Sequence, residues 1–211
     1  MAEIQNLFSK VQHSRDAVCR AEGLACVRGA MPVFEGVSFA VSSGQALCVR
    51  GANGSGKSSL LRQLAGLLPL AAGVLTPPEL ARNAHYLGHA DGLKAALTIA
   101  ETLAYDAALA GHGDGSALGD VAMRLGLAGR DWQFVADLSA GQKRRLTLAR
   151  LVIDPRPLWL LDEPMTALDD AGCALVGTLA KAHLQSGGMI IAASHEALDF
   201  ADAELLLGSE A

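Results

Sequence analysis

One segment, GANGSGKSS at positions 51–59, restricts the possible folds of this chain more than any other. It matches the pattern G-x-x-x-x-G-K-[ST], in which glycines let successive backbone amides point into one concavity that binds phosphate. The apolar run QALCVR precedes it, and leucines at helical spacing follow it in KSSLLRQLAGLLPL, which stops at Pro69. A buried strand, a glycine loop (the P-loop) and a helix in this order predict a nucleotide-binding α/β fold.

Further apolar runs along the chain predict the rest of a sheet. GLACV and VFEGVSFAV indicate strands around a turn at 28–32, and HYLG, LWLLD (158–162) and GMIIAAS (188–194) indicate three more. Strands that are apolar on both faces and alternate with helices predict a mainly parallel sheet covered on both sides. Helices are expected at 98–110, 117–127 and 140–151, the first two separated by the glycine-rich turn GHGDGS.

These three helices follow one another without strands between them, which predicts a helical insert at about 95–150. Residues 1–20 are polar and unpatterned, and we expect a loose N-terminal extension there, followed by one domain over 21–211.

Composition excludes several classes of protein. The net charge of −5 argues against general nucleic-acid binding. No apolar run is long enough to span a bilayer, and the first residues lack the apolar core of a secretory signal, so a cytosolic chain is expected. Its four cysteines form no C-x-x-C pair and are expected to be free thiols. His85 and His89 have helical ligand spacing, but HYLGH is interpreted as a strand end, which disfavours a metal site.

The P-loop defines the first set of candidate site residues. The Lys57 ammonium is expected to bridge the β- and γ-phosphates of ATP, and the Ser58 hydroxyl to ligate Mg²⁺. A chance glycine turn is the alternative, but the position between a buried strand and a helix disfavours it. The candidate ATP contacts are Gly51, Asn53, Gly54, Ser55, Gly56, Lys57, Ser58 and Ser59.

Two strand ends supply the remaining catalytic candidates. Asp162 ends LWLLD, where a carboxylate at the ligand-binding edge of a parallel sheet can hold the Mg²⁺ shell. Glu163 follows and could polarise an attacking water; a solvated acidic turn before Pro164 is the alternative. His195 follows MIIAAS in the equivalent position and could hydrogen-bond the γ-phosphate, although a lone histidine is more often structural.

A second phosphate-type helix start occurs in LSAGQKRRLTLAR (138–150), where Ser139 is a good N-cap before a basic helix. Together, GANGSGKSS, LSAGQKRR, LWLLDEP, TALD and SH in this order resemble the ATP-binding cassette (ABC) ATPases over nearly the whole chain from about residue 21. The LSAGQ segment (the signature) is the discriminating motif. The resemblance implies an ABC cassette with an antiparallel β subdomain beside the parallel sheet, and an ATPase with Glu163 and His195 as its hydrolytic pair.

In the ABC family two cassettes pair head to tail, and the signature of one closes over the ATP on the P-loop of the other. The resemblance therefore implies a homodimer in which Ser139, Gly141 and Gln142 contact ATP in trans and Asp169 lies at the seam between protomers.

Some stretches are more specifically similar to the ABC subfamily that serves c-type cytochrome maturation through a haem-exporter-like complex. They are YLGHADGLKAALTIAETL, LSAGQKRRL with its alanine, and RPLWLLDEPMTALD. This resemblance implies a peripheral protein on the cytoplasmic face of the inner membrane that docks on small membrane subunits. Its ATP hydrolysis would be coupled to release of a haem-loaded chaperone, and the chain would not bind haem directly.

Two positions depart from the family pattern. Ala90 stands where most cassettes have a glutamine, so either His89 takes over part of that role or coupling uses other groups. No aromatic residue occurs near 27–29 to stack on adenine; Arg28 could stack there or could simply face solvent.

Other functions remain open at this point. Another small drug or lipid exporter, a soluble ABC ATPase and a nucleotide kinase are the alternatives, although a kinase leaves the signature and the DEP segment unexplained.

Overall fold

The computed structural model describes residues 13–14, 16–111 and 118–208. The chain divides into two compact units, whose described parts are a P-loop unit (13–14, 16–89, 156–164 and 180–208) and a signature unit (90–111, 118–155 and 165–179). The predicted helical insert at about 95–150 falls within the longest segment of the signature unit. Most of the predicted N-terminal extension (1–12 and 15) and most of the GHGDGS turn (112–117) lie outside the described residues.

The P-loop unit contains eight strands and one complete helix among its described residues. In chain order they are β1 (Val18–Arg28), β2 (Met31–Ser42), β3 (Ala46–Arg50), α1 (Lys57–Leu64), β4 (Ala72–Thr76), β5 (Ala84–Leu87), β6 (Leu158–Asp162), β7 (Met189–Ala193) and β8 (Ala203–Leu206), with a 3₁₀ helix at Pro78–Asn83.

Five of these strands form one parallel sheet in the order β5-β6-β7-β3-β8. All residues of β6 and β7 are buried, because the sheet is covered on both faces. The apolar runs that predicted these two strands and β3 are therefore confirmed. β8 was not predicted from the sequence, because this edge strand is largely exposed and has no continuous apolar run.

A separate antiparallel sheet has the order β2-β1-β4. β1 begins at Val18, three residues before residue 21, at which the domain was predicted to begin. Val18, Cys19 and Arg20 pair with residues 42, 41 and 40 of β2, and the Cys19 side chain is fully buried. β4 was missed because its short sequence AGVLT is mostly exposed.

Helix α1 ends at Leu64, short of the predicted stop at Pro69. Gly66 adopts a positive φ of 70° and turns the chain away from the helix axis. The Gln63 side chain donates hydrogen bonds to the carbonyls of Ala25 and Pro69, both at 2.9 Å, which fixes the segment after the helix.

The signature unit is helical in its described part. Its helices are α2 (Ile99–Leu109), α3 (Leu118–Arg124), α4 (Ala140–Thr147) and α5 (Ala149–Ile153), and α6 (Asp170–Gln185) runs from this unit into the P-loop unit. The prediction of one helix over 140–151 was wrong, because two helices meet at Leu148. The Leu148 amide donates to the Arg145 carbonyl three residues back, a tighter 3₁₀-type bond that interrupts the α-helical pattern.

Two arginines in the signature unit hold the segment that follows residue 89. The buried Arg144 pairs with Asp91 at 3.8 Å. Arg150 donates to the Asp106 carboxylate and to the Gly92 carbonyl, each at 3.2 Å. The departure at Ala90 therefore lies beside a segment whose position is fixed by ion pairs rather than by the alanine itself.

A buried aromatic pair lies in the P-loop unit. The rings of Trp159 and His183 stack with centroids 3.9 Å apart at 6°. His183 is fully buried, and this burial lowers its pKa to about 3. A Cβ atom at position 188 would overlap the His183 ring, so Gly188 leaves the space that the ring fills. Within the described residues, none of the helices has the length and apolarity required to cross a bilayer.

Candidate functional site

The P-loop leaves β3 and enters α1 with a conformation that requires glycine. Gly54 and Gly56 have φ angles of 84° and 102°. A Cβ on Gly56 would also lie 2.7 Å from Val33 Cγ1, because β2 packs directly against the loop. The Lys57 ammonium donates to the carbonyls of Gly51 at 2.7 Å and Ala52 at 3.2 Å, which holds the lysine across the loop.

This loop forms one side of a cavity of about 430 Å³ within the P-loop unit. Six of the eight predicted ATP contacts line it: Asn53, Gly54, Gly56, Lys57, Ser58 and Ser59. Gly51 instead contributes the carbonyl that accepts from Lys57. The Ser55 hydroxyl is buried and has no hydrogen-bond partner among the described residues, so a polar atom inside the loop is left for a ligand to satisfy.

The predicted Mg²⁺ ligands meet at the edge of the parallel sheet. Ser58 Oγ donates to Asp162 Oδ1 at 3.0 Å, and Asp162 is almost completely buried. Tyr86 of the adjacent β5 donates to Asp162 Oδ2 at 3.4 Å, and Arg62 Nε donates to the Tyr86 hydroxyl at 3.2 Å. Burial is the main cause that raises the pKa of Tyr86, so its hydroxyl remains a donor.

Sequence reasoning missed Tyr86 and Arg62. The strand order that places β5 beside β6 is the signal that would have identified Tyr86, and it is not readable from one sequence.

The predicted hydrolytic pair is also adjacent. His195 Nε2 lies 3.3 Å from Glu163 Oε1. Glu163 has a positive φ of 50°, and its amide donates to the Ala193 carbonyl at 2.9 Å. β6 and β7 are neighbouring parallel strands, with Asp162 opposite Ala193, so residues that follow their ends meet at one sheet edge.

Arg50 is a further residue that the sequence did not reveal. Its Nη2 donates to the His195 carbonyl at 3.1 Å, and its Nη1 pairs with Glu204 at 3.1 Å. Arg50 immediately precedes Gly51, so one side chain connects the start of the P-loop to the segment that carries His195.

The signature residues line a second cavity, of about 410 Å³, within the signature unit. Ser139 caps α4: its hydroxyl accepts from the Gln142 amide at 3.2 Å, and the Gln142 side chain accepts from the Ser139 amide at 2.9 Å. The cavity is lined by Gly126, Arg130, Ser139, Gly141, Gln142, Arg145, Ala167 and Asp169.

Asp169 shares this second cavity with the signature residues. Its carboxylate accepts hydrogen bonds from Arg145 and from the Gly172 amide. The Arg145 bond is the main cause that lowers the pKa of Asp169. The predicted site residues thus form two groups, each within its own unit.

The histidines at the strand end have different surroundings. His89 is exposed and lines the P-loop cavity, whereas His85 lies within β5. Across the part of the chain that the structure describes, no three His, Cys, Asp or Glu residues form a cluster suited to a metal ion.

Comparison with known proteins identifies the family. The profile of the ABC transporter family matches residues 34–166. The chain belongs to the ABC transporter family. As an ABC protein it binds nucleotide and is an ATPase.

Two ABC relatives are both called cytochrome c biogenesis ATP-binding export protein CcmA. That of Cereibacter sphaeroides is 51% identical over 87% of this chain and 85% of its own length. That of Rhodopseudomonas palustris (strain BisB5) is 47% identical over 90% of this chain and 97% of its own.

The fold is also that of solved ABC proteins. A putative ABC transporter ATP-binding protein from Pyrococcus furiosus superposes with a TM-score of 0.79 at 20% identity, covering 90% of this chain and 98% of that one.

Proposed function

We propose that this ABC protein is the energy-coupling ATPase subunit of a membrane complex for c-type cytochrome maturation. The similarity to CcmA proteins carries the proposal, because it extends over nearly the full length of both chains rather than over the nucleotide motifs alone. The P-loop, Asp162, Glu163 and His195 of the P-loop unit provide the groups that ATP hydrolysis requires.

The P-loop holds the nucleotide in this proposal. Amides of the loop and of the first turn of α1 bind the phosphates, and the Lys57 ammonium exchanges its carbonyl partners for phosphate oxygens. The buried Ser55 hydroxyl becomes hydrogen-bonded when the loop is filled.

Ser58 and Asp162 fit a Mg²⁺ site. Their oxygens are 3.0 Å apart at the mouth of the loop, and hydroxyl and carboxylate oxygens are the ligands that Mg²⁺ prefers. When bound, the ion neutralises charge on the β- and γ-phosphates. The Tyr86 hydroxyl, which donates to the other oxygen of Asp162, fixes the orientation of this carboxylate.

Glu163 and His195 act on the attacking water. The Glu163 carboxylate accepts a proton from the water or orients it, and the His195 imidazole donates to the γ-phosphate. The Glu163 amide bonds to the Ala193 carbonyl, and Arg50 bonds to the His195 carbonyl. These two bonds fix the backbones that place Glu163 Oε1 3.3 Å from His195 Nε2. Positioning rather than covalent chemistry is therefore the main task of these residues.

A head-to-tail homodimer completes the site. Each chain has one P-loop cavity and one signature cavity, and the second carries Arg130 and Arg145, which suit a polyphosphate. We propose that Ser139, Gly141 and Gln142 contact the ATP of the partner protomer, with Asp169 at the seam.

The proposed setting is peripheral. The chain docks on integral membrane subunits at the cytoplasmic face of the inner membrane, and haem is handled by those partners rather than bound by this chain.

Deleting the gene and staining membranes for covalent haem tests the function directly. We expect c-type cytochromes to disappear, to return with the wild-type gene and to stay absent with Lys57→Ala expressed at the same level. Normal cytochromes after deletion would contradict the assignment and favour another export cargo.

Mixing two inactive variants tests the trans arrangement. A Lys57→Ala protomer and a Ser139→Arg protomer together form one intact composite site, so the mixture should recover part of the ATPase activity. Cross-linking should verify that mixed dimers form; a mixture that contains them but remains inactive would rule out composite sites.

A further inference from the structure

Both oxygens of the buried Asp162 carboxylate accept hydrogen bonds from hydroxyl groups. Ser58 Oγ donates to Oδ1 at 3.0 Å, and the Tyr86 hydroxyl donates to Oδ2 at 3.4 Å. Tyr86 lies on β5, which pairs with β6, the strand that ends at Asp162. The first oxygen is therefore bonded to the first turn of α1, and the second is bonded to the neighbouring strand.

Arg62 determines the direction in which the Tyr86 hydroxyl donates. Arg62 Nε donates to the Tyr86 oxygen at 3.2 Å, and a guanidinium group has donors only. The Tyr86 oxygen is the acceptor in this bond, so its single proton remains for Asp162 Oδ2. Because Arg62 lies one helical turn after Ser58 on α1, the same face of this helix acts on both carboxylate oxygens, directly at Oδ1 and through Tyr86 at Oδ2.

A carboxylate with one oxygen bonded to a hydroxyl donor has the other oxygen for a cation. Ca²⁺ takes about six to eight oxygen ligands and often binds both oxygens of a carboxylate, whereas Mg²⁺ requires octahedral geometry and keeps several waters. Binding of one cation by both oxygens of Asp162 would break the Tyr86 bond. The next carboxylate along the chain, Glu163, contacts His195 instead, with Oε1 3.3 Å from Nε2.

We propose that Tyr86, oriented by Arg62, makes the metal site selective for Mg²⁺ over Ca²⁺ by keeping Asp162 a one-oxygen ligand. This selectivity rests on the proposed Mg²⁺ site of Ser58 and Asp162. The two ligands alone do not determine it, because hydroxyl and carboxylate oxygens suit either ion. Tyr86 and Arg62 are positioning residues in this role, since both act through the Asp162 carboxylate.

Calorimetric titration of ADP without metal, with Mg²⁺ and with Ca²⁺ measures this selectivity without turnover. The quantity compared is the factor by which each ion tightens ADP binding, and in the wild-type chain Mg²⁺ should give the larger factor. Tyr86→Phe removes only the hydroxyl. It should lower the ratio of the Mg²⁺ factor to the Ca²⁺ factor by about tenfold, as expected when a partner that orients a metal ligand is lost. ADP binding without metal should stay unchanged, which also shows that the variant is folded.

Tyr105→Phe is the matched control, because Tyr105 is the other tyrosine of the chain and lies on α2 of the signature unit. It should keep the wild-type ratio. Arg62→Met should shift the ratio in the same direction as Tyr86→Phe, because the Tyr86 hydroxyl loses the donor that orients it. Arg62→Lys should restore the ratio in part, since an ammonium group also has donors only.

An unchanged ratio in Tyr86→Phe would overturn the proposal. Equal weakening of ADP binding with and without metal would also overturn it, because that result assigns the hydroxyl to the shape of the P-loop rather than to Asp162. The same uniform weakening in Arg62→Met would show that the guanidinium binds phosphate directly and would refute its orienting role.

The proposed metal site fails by a different result. If neither ion tightens ADP binding to the wild-type chain, the site formed by Ser58 and Asp162 is refuted. If both ions tighten it equally, the site stands and the selectivity is refuted. The haem-staining experiment does not depend on which cation is bound.

Discussion

The two helices that begin at candidate phosphate sites have different N-termini. Helix α1 follows Gly56 in a left-handed conformation and has no side-chain hydrogen bond at its cap. Helix α4 follows Ser139 with a complete capping box, in which Ser139 and Gln142 satisfy each other's amides. The first helix start therefore leaves its donors for a ligand, whereas the second has satisfied two of its own.

The two cavities also differ in the charged residues that line them. The P-loop cavity combines Lys57 with Asp162 and Glu163, a set suited to chemistry on a phosphate. The signature cavity combines Arg130 and Arg145 with Asp169, a set suited to holding an anion without acting on it. We propose that the P-loop region carries out the reaction and that the signature region binds the partner's phosphates. Substitutions of Glu163, Lys57 and Ser139 test this distinction.

The largest effect is expected from Glu163→Gln. Loss of the carboxylate should lower ATP hydrolysis by about 100-fold or more, while ATP binding persists and the ATP-bound dimer accumulates. Steady-state phosphate release and size-exclusion chromatography with ATP measure both. Glu196→Gln, a nearby exposed carboxylate outside the cavity, should hydrolyse ATP normally. Normal turnover in Glu163→Gln would remove this residue from the hydrolytic role.

Lys57→Ala and Ser139→Arg should distinguish nucleotide binding by the single chain from hydrolysis in the dimer. Lys57→Ala removes a charge-assisted contact to phosphate and should weaken ADP binding to the single chain by about 10- to 100-fold. Ser139→Arg should leave that binding unchanged and abolish hydrolysis if, as proposed, the signature contacts the nucleotide of the partner protomer. Calorimetry and phosphate release distinguish the two; weaker ADP binding in Ser139→Arg would break the distinction.

Acid should destabilise the P-loop unit through His183. The folded state holds its pKa near 3, whereas the unfolded chain has the ordinary value of 6.5, so the unfolded state binds more protons between these values. The stabilising difference is complete above pH 6.5 and is lost as the pH falls, at about 1.4 kcal/mol per pH unit. Urea unfolding at pH 7, 6 and 5 measures it.

His183→Phe is the control for this pH dependence, because it keeps a ring against Trp159 without a titrating group. Its unfolding free energy should have a shallower pH dependence; the small remainder should come from His13, whose pKa burial also lowers. An unchanged slope in this variant would assign the acid sensitivity to other groups.

The smallest expected effect is a loss of stability when either of two capping boxes in the signature unit is removed. Thr98 and Glu101 cap α2 with the same reciprocal bonds that Ser139 and Gln142 form at α4. Thr98→Ala and Ser139→Ala should each lower the free energy of unfolding by about 1 kcal/mol. Only Ser139→Ala should also reduce ATP turnover per folded molecule. Equal turnover losses in both variants would make Ser139 purely structural.

The sequence predicted elements whose signal is local. The P-loop, the buried strands β6 and β7 and the acidic pair at the end of β6 follow from apolar runs and motif spacing, and the structure contains them. Exposed edge strands such as β8 lack that signal. The break at Leu148 coincides with two 3₁₀-type backbone bonds, from Leu148 to Arg145 and from Leu151 to Leu148, which helical periodicity does not reveal.

Contacts between distant segments were beyond the sequence for a different reason. Tyr86 reaches Asp162 because β5 neighbours β6, and Arg50 reaches the His195 carbonyl because Arg50 ends β3, which neighbours β7. Strand order decides both, and one sequence without a structure does not specify strand order. The sequence therefore predicted which catalytic side chains follow or end the strands. It did not predict Tyr86 and Arg50, which contact them.

The absence of a side chain at Gly188 has an evolutionary consequence. A side chain there would overlap the His183 ring, which fills that volume while stacking on Trp159. Positions 183 and 188 should therefore covary among relatives: wherever a large ring occupies 183, glycine should persist at 188, and a larger residue at 188 should coincide with a smaller one at 183. Such compensating changes in side-chain size would show that the packing between α6 and β6 has been kept at constant density while the sequence diverged.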